Sequence, residues 1–357
     1  MRQTDPKPKK RHPLRTALLV LLCLLLAAAA FGYGYFHLKY AQIYSSDEVQ
    51  IDRDADYEQV VGADSAQAAG MEDATAGLEE KEAVSATEEI LHHKDVLNVL
   101  LIGTDERSGK YSTNARGDTC MLVSVNTAGD APVLSLLSFE RGMGVPILEG
   151  EYAGQYDWLT HTFRYGGAEL LMREVSECFK IEVDYYVRVN FSAFETGIDA
   201  IGGVDVYLDE AEVRYFIDGY KKQDAVVGMN HLDGKMALNY ARLREIDNDW
   251  VRIQRQREVV LAAFERCRHN SPADWNALID VMLPLLKTNI PETKLAELLL
   301  LLPSIPSMQT QQATIPQKGS YGSMRGMGGR SMFAVDFAAN HEYLKELLYP
   351  MLLEPAA

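Results

Sequence analysis

From residue 97 onward, short apolar runs alternate with longer stretches of helical spacing. LNVLLIG (97–103), TCMLVSVN (119–126) and VLSLLSF (133–139) are aliphatic runs of strand length, separated by polar loops. AELLMREVSECF (168–179) switches to a helical period, and DYYVRVNF (184–191) returns to a strand. SAFETGIDAIGG (192–203) reads as a helix closed by glycines, followed by the strand VDVYL (204–208). Beyond residue 231 the pattern turns helical. Asp233 is placed to cap a helix through Tyr240, and 250–268 spells a long amphipathic helix. Helical stretches near 275–287 and 292–302, a glycine-rich loop and a helix over 338–349 complete the chain. Strands alternating with helices predict an α/β class: a three-layer α/β/α domain around a central sheet.

Upstream the pattern differs. Residues 16–35 form an uncharged apolar run of about 30 Å at 1.5 Å per residue, the thickness of a hydrocarbon core. Aromatic residues follow it, as at a membrane interface. Ala27 to Ala30 keep a cleaved secretory signal open as the alternative. The segment predicts one transmembrane helix over 16–38, preceding the folded domain. Arg2, Lys7, Lys9, Lys10, Arg11 and Arg15, against Asp5 alone, place a basic tail (1–15) in the cytoplasm and everything after the helix outside the cell. Residues 39–95 are acidic and poor in large aliphatics, so they are expected to be a disordered spacer, with a short helix over 79–91 allowed by propensity. The main domain is then expected over 96–270, with a helical extension over 271–357 packed on it.

The formal charge of −16 argues against nucleic acid as a partner. Cys23, Cys120, Cys178 and Cys267 show no metal spacing and read as buried thiols, with a disulfide as the other possibility.

Candidate chemistry gathers at predicted strand ends, where ligands of open α/β sheets bind. The first strand runs into Asp105-Glu106-Arg107, the second is preceded by Arg116-Gly117-Asp118, and the third ends in Glu140-Arg141-Gly142. Asp105 and Asp118 suit a hard divalent cation, or else cap turns and pair with arginines. GTDERSGK (103–110) resembles a phosphate-binding loop but carries one residue too many before Gly109-Lys110, and Tyr111 stands where a magnesium-binding hydroxyl belongs, so nucleotide hydrolysis is rejected. A second cluster holds Arg242, Arg244, Arg252, Arg255, Gln256 and Arg257. Arg252, Arg255 and Gln256 share a helix face at i, i+3 and i+4. Guanidinium groups stay charged and grip phosphate oxygens in pairs, so the cluster suits a pyrophosphate; a solvated basic face is the plainer reading.

These residues carry a resemblance to the LytR–CpsA–Psr family of cell-wall ligases. It runs in ordered blocks over about 96–268: NVLLIGTDER, RGDTCMLVSVN, LLSFERG, HTFRYGG, DYYVRVNFSAF, IDAIGGVDV, HLDGKMALNYARLR and RIQRQREV. The resemblance implies a phosphotransferase that moves a glycopolymer from a polyprenyl-pyrophosphate carrier to peptidoglycan and releases polyprenyl phosphate, with the lipid in an apolar tunnel. It implies Mg²⁺ held by Asp105 and Asp118, catalytic Arg141, Arg242 and Arg244, and pyrophosphate contacts from Arg107, Arg116, Arg252 and Gln256. It also suggests a Gram-positive envelope, with the domain on the outer side of the cell membrane. A non-catalytic protein that binds lipid-linked glycan and a lipid pyrophosphatase are the competing functions.

Two departures stand out. The family's acid after the arginine is Gly142 here, leaving its role to Glu140 or to nothing, and the family's Asn before the YGG block is Thr160.

Overall fold

The computed structural model describes residues 37–38, 40–41, 65–106 and 117–353. The chain divides into two compact units, 1–42 and 43–357. In the first, the Ala41 N–H donates to the His37 carbonyl at 3.0 Å, one turn of helix. The expected basic tail and nearly all of the expected transmembrane helix lie outside the described residues. Among the described residues no helix is long and apolar enough to cross a membrane.

The second unit opens with α1 (Ser65–Thr75), β1 (Val96–Thr104), β2 (Gly117–Asn126), β3 (Val133–Phe139), β4 (Gly144–Pro146) and β5 (Tyr156–Trp158). Then come α2 (Leu159–Phe179), β6 (Tyr185–Asn190), α3 (Phe191–Ala200), β7 (Val204–Leu208), α4 (Glu210–Tyr220), β8 (Gly228–Leu232), α5 (Gly234–Arg242) and α6 (Asp249–Cys267). The chain ends in α7 (Pro272–Met282), β9 (Lys287–Thr288), α8 (Glu292–Leu299), β10 (Gln309–Ile315), β11 (Tyr321–Arg325), β12 (Ser331–Val335) and α9 (Phe337–Leu348).

Six strands form the central sheet in the order β10-β3-β2-β1-β6-β9. It is mixed: β1 runs antiparallel to β2 and parallel to β6, and β3 runs parallel to β10. Alternation along each strand sends neighbouring side chains to opposite faces. Leu100, Ile102, Leu122 and Phe139 pack on one face with Leu171, Val175 and Phe179 of α2 and Phe337 and Leu344 of α9. Leu101, Met121, Val123 and Leu136 pack on the other with Val260, Leu261 and Phe264 of α6. The three expected layers are therefore present. The three described cysteines, Cys120, Cys178 and Cys267, are buried and unpaired.

Two boundaries differ from expectation. Residues 65–95 are not a disordered spacer. Met71 of α1 is 3% exposed, and the strand-like stretch after it bonds to the main domain, with Lys81 N–H donating to the Ser323 carbonyl at 2.9 Å and Leu91 N–H to the Lys180 carbonyl at 2.8 Å. No helix forms over 79–91. Few aliphatics are needed because backbone hydrogen bonds to existing strand edges do the ordering. Nor is 271–357 only a helical extension: β9 and β10 complete both edges of the central sheet. β10 reads QTQQATI, too polar to announce itself as a strand, because as an edge strand it buries little on one side.

Candidate functional site

Three elements carry the expected residues to one place. In the β1–β2 ladder Gly103 faces Thr119 and Thr104 faces Gly117, so Asp118 is an extra residue opposite no partner. Such a bulge re-aims a side chain. Asp118 turns into a hollow above the sheet, where its Oδ1 accepts from Arg141 Nη1 at 3.3 Å. Arg141 sits just past β3, is 3% exposed, and lies 5.6 Å from the Trp158 ring.

Between α5 and α6, Leu243 is extended (φ −60°, ψ 122°) and fully buried. Its neighbours Arg242 and Arg244 therefore both line the hollow, as their two-residue spacing predicts. Arg242 covers the Phe191 ring at 4.4 Å. In α6, Arg252 and Gln256 reach the same hollow one turn apart.

The residue that organises these arginines escaped the sequence reading. Asp249, the first residue of α6, accepts from Arg252 at 2.9 Å and faces Arg141 Nε at 3.5 Å and Arg244 Nε at 3.7 Å. Burial pushes its carboxyl up, but Arg252, Arg141 and Arg244 outweigh burial and hold it below the ordinary aspartate range. An acid at the start of a helix, three residues before an arginine, was the available signal.

Behind Asp249 lies Glu140, fully buried. Burial first, and then the negative charge of Asp249 with which it shares a hydrogen bond, push its carboxyl well above the ordinary glutamate range. Its Oε2 also accepts from the Gly142 N–H at 2.5 Å. Arg244 is lowered to about 10, by burial and then by Arg252 and Arg141. The centre is thus crowded with positive charge.

Both departures from the family pattern now have a structural setting. A Cβ at position 142 would lie 1.9 Å from Met71 Cε, so the space of the missing acid is filled by a thioether from α1. Thr160 is buried with its hydroxyl 3.4 Å from the Arg141 carbonyl.

The hollow holds about 310 Å³. Asp118, Arg242, Arg244, Arg252 and Gln256 line its polar end, while Leu101, Met121, Phe194, Leu238 and Val260 line the rest. Asp118 is its only acid among the described residues.

Not every expected residue joins it. Asp105 is half-buried just beyond β1, Arg141 is buried against Asp118 and Asp249, and neither lines the hollow. Arg107 and Arg116 lie outside the described residues. Arg255 leaves the shared helix face: it bonds to Glu212 at 2.6 Å, to the Leu243 carbonyl at 3.2 Å and to Asp247. Arg257 is bound by Gln312, Ser138, Thr314 and the Ala313 carbonyl at 2.8–3.1 Å. Arg325, the last residue of β11 in the glycine-rich stretch, pairs with Glu72.

Among the described residues no group of three His, Cys, Asp or Glu is placed to hold a metal. Two carboxylates on adjacent strand ends remain, Asp105 after β1 and Asp118 in the β2 bulge. They are the donor type that magnesium takes, one or two carboxylates with water and phosphate oxygens completing the shell.

Comparison with known proteins gives consistent relatives. The sequence model of the LytR_cpsA_psr family matches residues 60–348. Polyisoprenyl-teichoic acid–peptidoglycan teichoic acid transferase TagT of Bacillus subtilis (strain 168) is 33% identical over 227 residues, 62% of this chain and 68% of TagT. The TagU transferase of Oceanobacillus iheyensis is 31% identical over 220 residues, 59% of this chain and 64% of TagU. The chain thus spans about two thirds of the length of these relatives. A solved structure of TagT bound to LIIa-WTA superposes with a TM-score of 0.57 at 30% identity, covering 77% of this chain and 97% of that one.

Proposed function

The chain belongs to the LytR_cpsA_psr family, and from that premise we propose that it transfers a glycopolymer from a polyprenyl-pyrophosphate carrier to peptidoglycan, releasing polyprenyl phosphate. One observation carries this reading: a single cavity with arginines at one end and aliphatic and aromatic walls along the rest. A lipid-linked pyrophosphate has the same division.

The pyrophosphate sits among Arg141, Arg242, Arg244, Arg252 and Gln256, whose donors gather charge that grows on the leaving phosphate. Arg252 lines the cavity while Asp249 holds it at 2.9 Å. Asp249 fixes the directions of three of these arginines before the substrate arrives. The acceptor hydroxyl attacks the phosphorus that bears the glycan; a new P–O bond forms, and the bond to the bridging oxygen breaks. The hydroxyl proton goes to the Asp118 carboxylate. Glu140 does not line the cavity and is no base. Asp105 and Asp118 would hold Mg²⁺, which supplies further neutralisation of phosphate oxygens. Arg107 and Arg116 belong to the same proposal through the family pattern. The polyprenyl chain lies against Leu101, Met121, Phe194, Leu238 and Val260. The apolar run at 16–38 and its basic flank support a single-pass anchor in the cell membrane, with this domain outside.

The test is to incubate the full chain in detergent with lipid-linked glycopolymer, with and without peptidoglycan, and to follow released polyprenyl phosphate. Release that needs peptidoglycan is expected. Release without it makes the protein a pyrophosphatase, and none under either condition makes it a binding protein.

A further inference from the structure

Helix α6 faces three different hollows. Arg252, Gln256 and Val260, at i, i+4 and i+8, line the cavity described above. Val251, Gln254, Glu258 and Leu261 line an open groove against β7. Trp250 and Arg257, two turns apart, line a third hollow of about 490 Å³.

This third hollow differs in kind from the first. Trp250, Tyr321 and Tyr343 form its walls, with Gln312, Gln317 and Lys318 as its polar groups. Trp250 and Tyr321 stack at 5.5 Å with 25° between their planes. Phe333 supports both edge-on, at 5.6 and 5.2 Å. Gln312 and Lys318 are exposed, and Lys318 makes no ion pair among the described residues. Arg257 borders it with Nε and Nη1 held by the neutral groups of Gln312, Ser138, Thr314 and the Ala313 carbonyl, so this lining has two cations, Arg257 and Lys318, where the first cavity gathers three arginines.

It also borders the reacting centre. Trp250 follows Asp249 directly. The Phe333 N–H donates to the Gly142 carbonyl at 3.0 Å, and the Glu140 N–H donates to the Ile315 carbonyl at 2.8 Å. Phe333, packed under Trp250 and Tyr321, and Ile315, next to Thr314 and Pro316 of the lining, thus hold the turn that carries Arg141.

We propose that this hollow seats a saccharide chain, that of the acceptor glycan, and so presents the attacking hydroxyl to the arginine-lined cavity. Aromatic side chains offer a flat apolar face with a polar edge, matching the alternation of C–H faces and hydroxyl edges on a pyranose ring. Amide side chains both donate and accept, as hydroxyls do. A lysine with no ion pair suits a carboxylate carried on the sugar. The assignment to the acceptor rests on the transferase reading; the saccharide class rests on the hollow alone.

The experiment uses the full chain in detergent, titrated calorimetrically with soluble glycan strands cut from peptidoglycan and, separately, with lipid-linked glycopolymer. Glycan strands should bind the wild type without donor present. Trp250→Leu, which keeps apolar bulk, and Lys318→Glu, which changes only a surface charge, should each weaken that binding about tenfold. In turnover assays the KM for peptidoglycan should rise in parallel while the KM for the lipid-linked donor stays within about twofold. Unchanged glycan affinity in both variants overturns the proposal, as does a loss that falls on the donor. Wild-type protein that binds strands but releases no polyprenyl phosphate sinks the transferase reading and leaves the saccharide site standing.

Discussion

Arg252 and Arg255 sit one turn apart on the same helix and are equally hidden, 3% and 2% exposed, yet they serve opposite ends. Arg255 is spent on the fold: Glu212, Asp247 and the Leu243 carbonyl take its donors. Arg252 has one carboxylate partner, Asp249, and an Nε that nothing in the fold satisfies. Burial therefore does not separate a structural arginine from a ligand-binding one. Position does: Arg252 lines the arginine-rich cavity, and Arg255 does not.

The comparison breaks most easily at Arg255. Arg255→Ala leaves Glu212 and Asp247 without their counter-charge and should destabilise the domain by about 3–5 kcal/mol, read from denaturant unfolding. A variant of wild-type stability would remove the structural half of the contrast. Next in size is Arg244→Ala, whose side chain is 37% exposed and holds no element in place. Turnover should fall about 10²–10³-fold with unfolding almost unchanged, and wild-type turnover would remove the ligand-binding half.

A smaller effect sharpens the role of the acids that hold the arginines. Glu140, raised from the usual 4.5 to about 8, keeps in the folded chain a proton that the unfolded chain releases. Its contribution to stability is therefore whole below about 4.5 and is lost as pH rises through 8, with a slope of at most ~1.4 kcal/mol per pH unit. Glu140→Gln should flatten that slope in unfolding measurements across the window. An identical pH profile in the variant would show that Glu140 titrates normally. The smallest change is expected at Arg214, exposed and paired with Glu210 one turn back on α4 at 3.4 Å. Arg214→Ala should cost only about 0.3–0.5 kcal/mol, setting the scale for an arginine that is neither buried nor aimed at a ligand.

The sequence made some of this legible. Strands β1, β2, β3 and β6 announce themselves by apolar density, and α6 by its period, because burial on one or two faces writes directly into residue type. The convergence of Asp118, Arg141, Arg242, Arg244, Arg252 and Gln256 was readable from the family blocks and from the two-residue step across Leu243. Asp249 was not, since an acid near arginines reads as an ordinary helix-start preference until three guanidiniums are seen around it. The fate of Arg255 was hidden too: i, i+3 spacing places it beside Arg252, but Glu212 and Asp247, supplied by other segments, pull it aside. The order in residues 65–95 comes from backbone pairing with distant segments, Leu91 with Lys180 and Lys81 with Ser323, which composition does not record.

The pairing of β10 with β3 has a consequence for how the protein comes into being. The two strands are separated by some 170 residues of chain, and β10 supplies the whole of that edge as well as the carbonyl that seats Arg257. A growing polypeptide cannot complete its sheet until Ile315 has emerged, so most of the reactive centre must wait, partly built, beside an open strand edge. Contacts of such long sequence separation form slowly and leave the waiting chain prone to wrong partners. Chains cut short before residue 309 should therefore accumulate as aggregates and not as smaller working enzymes.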